Sequence, residues 1–175
     1  MNKTLLLASR SPARRQLLVE AGYDVEFAQV DIDESVLPQE KPAELVQRLS
    51  IEKAKAVNNP GDRLLITADT MVVFAEQIIG KAKNCEQAKM ILEQLAGNWH
   101  EVITGFTLCF YQATVCDSIK IEKTANNFPT MKTFVVTTKV LFHALSTAQI
   151  EEYLVSNEWQ GKAGAYGIQG AGKKF

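Results

Sequence analysis

The first two dozen residues constrain this chain most. An apolar run at 5–8 breaks at Ser9-Arg10-Ser11-Pro12 and gives way to a helical pattern. Ser11 sits where an N-cap belongs, and Pro12 takes the first helical position, where its missing N–H costs nothing. Leu17, Leu18 and Ala21 extend a helical apolar stripe, and Gly22 marks its C-terminal stop. The free N–H groups of such a helix start favour an anion. Ser9, Ser11, Arg10, Arg14 and Arg15 crowd around that point, and the simplest ligand for them is a phosphate. An ordinary capped surface helix with solvated arginines carries the same signature.

Strands and helices alternate through the rest of the chain. A short strand begins at Val25, and an acidic turn follows at 31–34. A helix is predicted over 42–58, with Leu45, Val46, Leu49, Ala56 and Val57 on one face. The strongest strand signal is 64–68, then Asp69-Thr70, then 71–74, with a hairpin turn at 75–77 and a return through Ile78-Ile79. Asn84 with Gln87 resembles a capping box and opens a helix that ends at Gly97. Strands are predicted over 102–110 and 134–142, and Ser146 with Gln149 opens a last helix through Val155. The polar stretch 112–130 reads as a long loop or an excursion at the sheet edge. The hairpin implies antiparallel pairing, so the expected fold is α/β, a mixed sheet flanked by helices.

A chain of 175 residues can bury one real core. Net charge is −1, which argues against bulk binding to nucleic acid or a membrane surface and leaves any anion site to a local cluster. The opening apolar run is too short for a secretory leader, and no segment is long enough to span a bilayer. Cys85, Cys109 and Cys116 show no metal-ligand pairing and read as free thiols of a reducing cytoplasm. His100 and His143 are the only histidines, too few for a zinc site or a Ser-His-Asp triad.

Asp69 interrupts an apolar stretch, where a carboxylate is expensive unless it is paired or metal-bound. A plain turn between two strands would also place Asp69-Thr70 there. Lys53 falls inside the apolar stripe of the 42–58 helix and away from the charged face of Arg48, Glu52 and Lys55. Such a lysine either snorkels to the rim or points its charge into a cleft. Glu34, with Asp31 and Asp33, offers oxygen ligands to a hard cation, or is a solvated acidic turn. Lys81, after Gly80, either reaches a phosphate or is a surface lysine. The run from Gly167 to Lys173 imitates a P-loop, but Lys174 stands where the magnesium-binding hydroxyl belongs, so a P-loop is rejected.

Together the stretches Ala8-Ser9-Arg10-Ser11-Pro12-Ala13-Arg14, Asp33-Glu34, Glu52-Lys53-Ala54, Ala68-Asp69-Thr70, Gly80-Lys81, Thr104-Gly105 and Lys162-Ala163-Gly164-Ala165-Tyr166-Gly167-Ile168-Gln169-Gly170 resemble the Maf family of nucleoside triphosphate pyrophosphatases. The resemblance runs from residue 5 to 172 and treats the chain as a single domain. It implies a mixed, twisted sheet in two lobes around a central cleft, similar to inosine triphosphate pyrophosphatases. It also implies a cytoplasmic homodimer that cleaves a nucleotide between its α and β phosphates with the help of Mg2+ or Mn2+.

On that resemblance Asp69 is the proton acceptor, and the sequence leaves open whether it takes the proton from the attacking water or places that water through the metal. Ser9, Ser11, Arg14, Lys53 and Lys81 hold substrate, and Glu34 with Asp69 holds the metal. Three positions set specificity. Forms acting on dTTP and UTP carry Arg, Thr and Gln; forms acting on 7-methyl-GTP carry an aromatic, Gln and Glu. Ala13, Thr70 and Gln169 match the first pattern at two positions, and Ala13 matches neither. The chain also has Ala82 where the family usually has Pro and His143 where an arginine is expected, and its C-terminal end is shorter than the family norm. A non-catalytic nucleotide-binding regulator of septum formation and cell division is the alternative that the resemblance carries.

Overall fold

The computed structural model describes residues 4–58, 60–61, 63–110 and 130–175. The polar stretch at 112–130, apart from Thr130, lies outside the described residues, as does Cys116. The elements in chain order are β1 (Thr4–Ala8), α1 (Pro12–Glu20), β2 (Asp24–Phe27), α2 (Pro42–Ala56), β3 (Leu64–Phe74), β4 (Gln77–Ile79), α3 (Cys85–Leu95), β5 (Trp99–Phe110), β6 (Thr130–Leu141) and α4 (Thr147–Val155). A 3₁₀ turn over Ala171–Lys174 follows, where the P-loop imitation ends. The strands form a mixed sheet in the order β2-β1-β3-β5-β6, with β4 paired to β3.

The chain divides into two compact units. The first holds Met1–Asp69 and Gly105–Val135; the second holds Thr70–Thr104 and Val136–Phe175. In the first unit β1 pairs in parallel with both β2 and β3, in the register Leu5↔Val25 and Leu5↔Leu64. Parallel strands need crossovers, and α1 and α2 supply them. With neighbours on both sides, Leu5, Leu6, Leu7 and Ala8 are all buried, which is why β1 reads as an unbroken apolar run. Leu6, Ala8, Leu65, Ala54, Val57 and Cys109 form a core there.

Polar groups buried in the same unit are satisfied in a chain of hydroxyls. Thr67 donates to the Ser50 carbonyl at 2.6 Å. Ser50 Oγ donates to the Gln47 carbonyl at 2.8 Å, so it accepts from Thr107 at 2.9 Å, which in turn accepts from Thr133 at 2.9 Å. Gly105 lets β5 touch the α2 backbone: a Cβ there would meet the Val46 oxygen at 2.3 Å.

In the second unit α3 and α4 bury Ala88, Ile91, Leu92, Leu95, Ile150, Tyr153 and Leu154 with Val72, Phe142, Trp159 and Tyr166. Both helices start as their sequences predict. Asn84 accepts from the Gln87 amide at 2.8 Å, and Ser146 accepts from the Gln149 amide at 3.3 Å while the Gln149 side chain reaches back to the Ser146 amide at 2.9 Å. The β3–β4 hairpin turns at Ala75 and Glu76, both at positive φ, as a two-residue type I′ turn requires.

Two local expectations are corrected. The apolar stripe of α1 is not a core face: none of its residues is buried, and Leu17 is 54% exposed. Asp69-Thr70 is no turn, because β3 runs unbroken through both. The stop at Gly22 holds, with φ at +84° and the Tyr23 and Gly22 amides returning to the Leu18 and Val19 carbonyls.

Candidate active site

The register Ala8↔Thr67 sets the carboxyl end of β1 beside the middle of β3, where their parallel pairing ends. Ser9 follows the first strand and Ala68-Asp69 the paired stretch of the second. In sheets with parallel strands this is the end where ligands bind. Arg14, in the first turn of α1, donates from Nη1 to Ser9 Oγ at 2.9 Å and to the Ala68 carbonyl at 2.8 Å. Ser11 occupies the N-cap, yet its side chain makes no cap bond; its amide instead donates to Ser9 Oγ at 3.2 Å. Ser9 is therefore the hydroxyl that organises this turn. Burial pulls the Arg14 guanidinium below its ordinary pKa, while the charges of Asp69 and Glu34 oppose that pull. An arginine stays protonated regardless, so the site keeps a fixed, half-sequestered cation.

Helix α2 places Lys53 one turn after Leu49 and among buried Leu45, Val46 and Ala54, and Lys53 itself is buried. It does not snorkel to solvent. Nζ donates to Asp69 Oδ1 at 2.6 Å and meets Glu34 Oε1 at 2.7 Å. The Lys53 and Asp69 side chains are 11% and 14% exposed, whereas Glu34 is 41% exposed. One ammonium is thus shared by two carboxylates, and its contact with Asp69 explains how that side chain survives in the middle of an apolar strand.

The Lys53 ammonium lies where the two carboxylates meet, and Glu34 and Asp69 are oxygen donors of the kind a hard cation takes. Among the described residues no three His, Cys, Asp or Glu side chains come together for a metal.

The remaining sequence-predicted residues divide between the two units. Ala13 lies on the first turn of α1, half-buried. Thr70, Lys81 and Gln169 belong to the second unit. There Thr70 Oγ1 lies 2.9 Å from Thr104 Oγ1. Lys81, exposed, forms an antiparallel bridge with Ala163, and the Gly164 amide donates to the Gly80 carbonyl at 3.3 Å. Those bonds tie the Gly80-Lys81 stretch to the glycine-rich segment that carries exposed Gln169.

His100 braces that segment. Its Nε2 lies 2.7 Å from the Tyr166 hydroxyl, and burial raises the Tyr166 phenol to about 12. Sequence reasoning missed His100, since a lone histidine beside a tryptophan carries no periodic signal. It also missed Arg48 beyond its place on a charged helix face.

The Maf-like protein family model matches residues 4–175. The chain belongs to the Maf family. This Maf protein is similar to a dTTP/UTP pyrophosphatase of Pseudoalteromonas atlantica, 40% identical over 98% of this chain and 83% of that protein. It is also similar to proteins of the same name from Anaeromyxobacter dehalogenans, 40% identical over 100% of this chain and 82% of the relative, and Bacillus cereus, 36% identical over 99% and 77%. A solved nucleoside-triphosphatase / dITP/XTP pyrophosphatase from Mycobacterium abscessus matches 78% of this Maf chain and 71% of its own at 12% identity and a TM-score of 0.41, a likeness too slight to bear on fold or function.

Proposed function

We propose that this Maf protein hydrolyses the bond between the α and β phosphates of dTTP and UTP, releasing a nucleoside monophosphate and pyrophosphate. The names of its relatives support that reading. The observation that carries it is the Lys53 ammonium seated between Asp69 and Glu34, 2.6 and 2.7 Å away, on the unit that also holds Arg14.

Phosphoanhydride hydrolysis asks a protein mainly for charge and position. Arg14, with the N-terminus of α1 and the Ser9 and Ser11 hydroxyls, binds phosphate oxygens. Lys53 holds Asp69 Oδ1, fixing the carboxylate so that it orients a water and takes its proton. The water oxygen bonds to phosphorus, the bridging P–O bond breaks, and the bridging oxygen leaves with the pyrophosphate. The family resemblance assigns Lys81 to substrate as well. A divalent cation held by Glu34 and Asp69 would supply charge neutralisation at the phosphate oxygens. The resemblance assigns pyrimidine specificity to Thr70 and Gln169, and the Gln169 amide is able both to donate to and to accept from an imide edge.

The same proposal sets the enzyme in the cytoplasm as a homodimer acting on free nucleotides. No described helix is long and apolar enough to cross a membrane. The test is pyrophosphate release from a nucleotide panel with Mg2+. Native protein turning over UTP and dTTP, with Asp69→Asn still binding UTP but about 10²–10⁴-fold slower, is expected. Binding without release by the native protein refutes catalysis.

A further inference from the structure

We propose that Arg48 is a positioning residue for this site, holding the segment before α2 so that Glu34 meets Lys53; the catalytic part of this proposal rests on the function just given. Residues 28–37, Glu34 among them, lie in neither helix nor strand. Local turns shape the segment: the Ser35 amide donates to Asp33 Oδ1 at 2.9 Å, and the Leu37 amide donates to Glu40 Oε2 at 3.0 Å. Neither turn ties it to the helix that carries Lys53.

Arg48 makes that tie from α2, five residues before Lys53. Its Nε and Nη2 fork onto the two oxygens of Glu40, at 2.6 and 2.9 Å. Nη2 also donates at 2.8 Å to the carbonyl of Ser35, the residue after Glu34. Nη1 donates to Glu52 at 3.1 Å, one turn along the helix. A single guanidinium therefore gathers the segment at two points and is itself anchored on α2. The Glu40 side chain is only 8% exposed, so this fork is sheltered where most loop carboxylates are not. A lysine offers a point charge and no fork, and cannot bridge Glu40 and the Ser35 carbonyl in this way.

The test uses Arg48→Met, Arg48→Lys, Glu34→Gln and the Arg48→Met/Glu34→Gln double variant. Both Arg48 variants are expected to lower kcat for UTP about 10–100-fold, the usual cost of losing a residue that orients a site group. The double variant is expected to be no slower than Glu34→Gln within about twofold, because both changes act through one carboxylate. A merely structural role predicts native kcat per folded molecule, or losses that multiply in the double variant; either result overturns the proposal.

Amide hydrogen exchange supplies a readout independent of turnover. The Ser35 and Leu37 amides are expected to exchange about tenfold faster in Arg48→Met while those of α2 stay protected. Unchanged exchange overturns the role of Arg48 even in an active enzyme. Absence of turnover in the native protein overturns the proposed function and leaves the exchange result standing. Should Arg48→Met fail to fold, Glu40→Gln weakens the same fork from the loop side and carries the same expectations.

Discussion

Replacing Gly105 with alanine tests how this protein sets its active helix against its sheet. The new Cβ would lie 2.3 Å from the Val46 oxygen, 2.5 Å from the Val46 carbonyl carbon and 2.9 Å from the Gln47 nitrogen. Carbon–oxygen contacts settle at about 3.3–3.6 Å, so α2 and β5 must part by roughly 1 Å. All three obstacles are backbone, and no side chain can swing aside. The helix is held by Leu45, Val46 and Leu49, each 0% exposed, so it cannot move alone.

Overpacking of this kind costs about 1–3 kcal/mol, and a backbone-on-backbone clash belongs at the upper end. Stiffening of the unfolded chain by alanine returns about 0.4–1 kcal/mol. The net is about 2 kcal/mol, or a fall in Tm of roughly 4–8 °C for a chain of this size. The assay is a thermal melt against Gly80→Ala, whose Cβ meets nothing within 4 Å. Because α2 also carries Lys53, the folded fraction of Gly105→Ala should turn over more slowly, a misplacement near 1 Å costing up to about 10²-fold. If Gly105→Ala melts with Gly80→Ala, the close approach of helix and strand is wrong.

Lys53→Met leaves the Asp69 and Glu34 carboxylates facing each other without their cation; turnover should collapse and stability fall by about 2–3 kcal/mol, below the cost of a fully buried pair because Glu34 reaches solvent. Adding Asp69→Asn should recover part of the Tm and none of the activity, as melting and pyrophosphate release would reveal. Burial depresses the His100 pKa, so the unfolded chain binds the proton more readily. Stability attributable to His100 is then complete above about 6.5 and fades as pH falls toward the lowered folded value; Tm measured from pH 8 to 5 should drop less steeply in His100→Gln. Gln169→Glu removes an amide donor, and kcat/KM for UTP should fall about tenfold with kcat for the bound nucleotide less affected, as steady-state kinetics would register.

Much of this molecule is legible residue by residue. Asn84 with Gln87 and Ser146 with Gln149 announce helix starts because a cap is a local bond, made within one turn. The 5–8 run announces a strand with neighbours on both sides because burial on two faces leaves no polar alternation. Lys53 is legible as an anomaly, since 3.6-residue periodicity alone puts it on the buried face of α2. What stays hidden is the destination of its charge. Asp69 lies 16 residues further on, across a helix end and half a strand, and no local pattern spans that gap. Arg48 shows the same division: its bond to Glu52 follows from i,i+4 spacing, while its fork onto Glu40 depends on how the preceding segment folds back.

That division explains why Asp69-Thr70 invites a turn assignment and yet sits in a strand. By propensity an Asp-Thr pair favours a turn, because short polar side chains bond their own backbone and a carboxylate resists burial. Here both objections are removed from outside. Lys53 and the nearby charge of Arg14 compensate the carboxylate, and Thr70 exchanges a hydroxyl bond with Thr104. The strand can then run straight through, and it presents Asp69 on a rigid backbone rather than on a loop. A base fixed in this way holds a water at one angle, which a flexible turn would not do. The local rule fails at the one position where the proposed chemistry needs a stiff acid, and in that proposal the same cation that makes Asp69 tolerable in the fold also holds it to orient water.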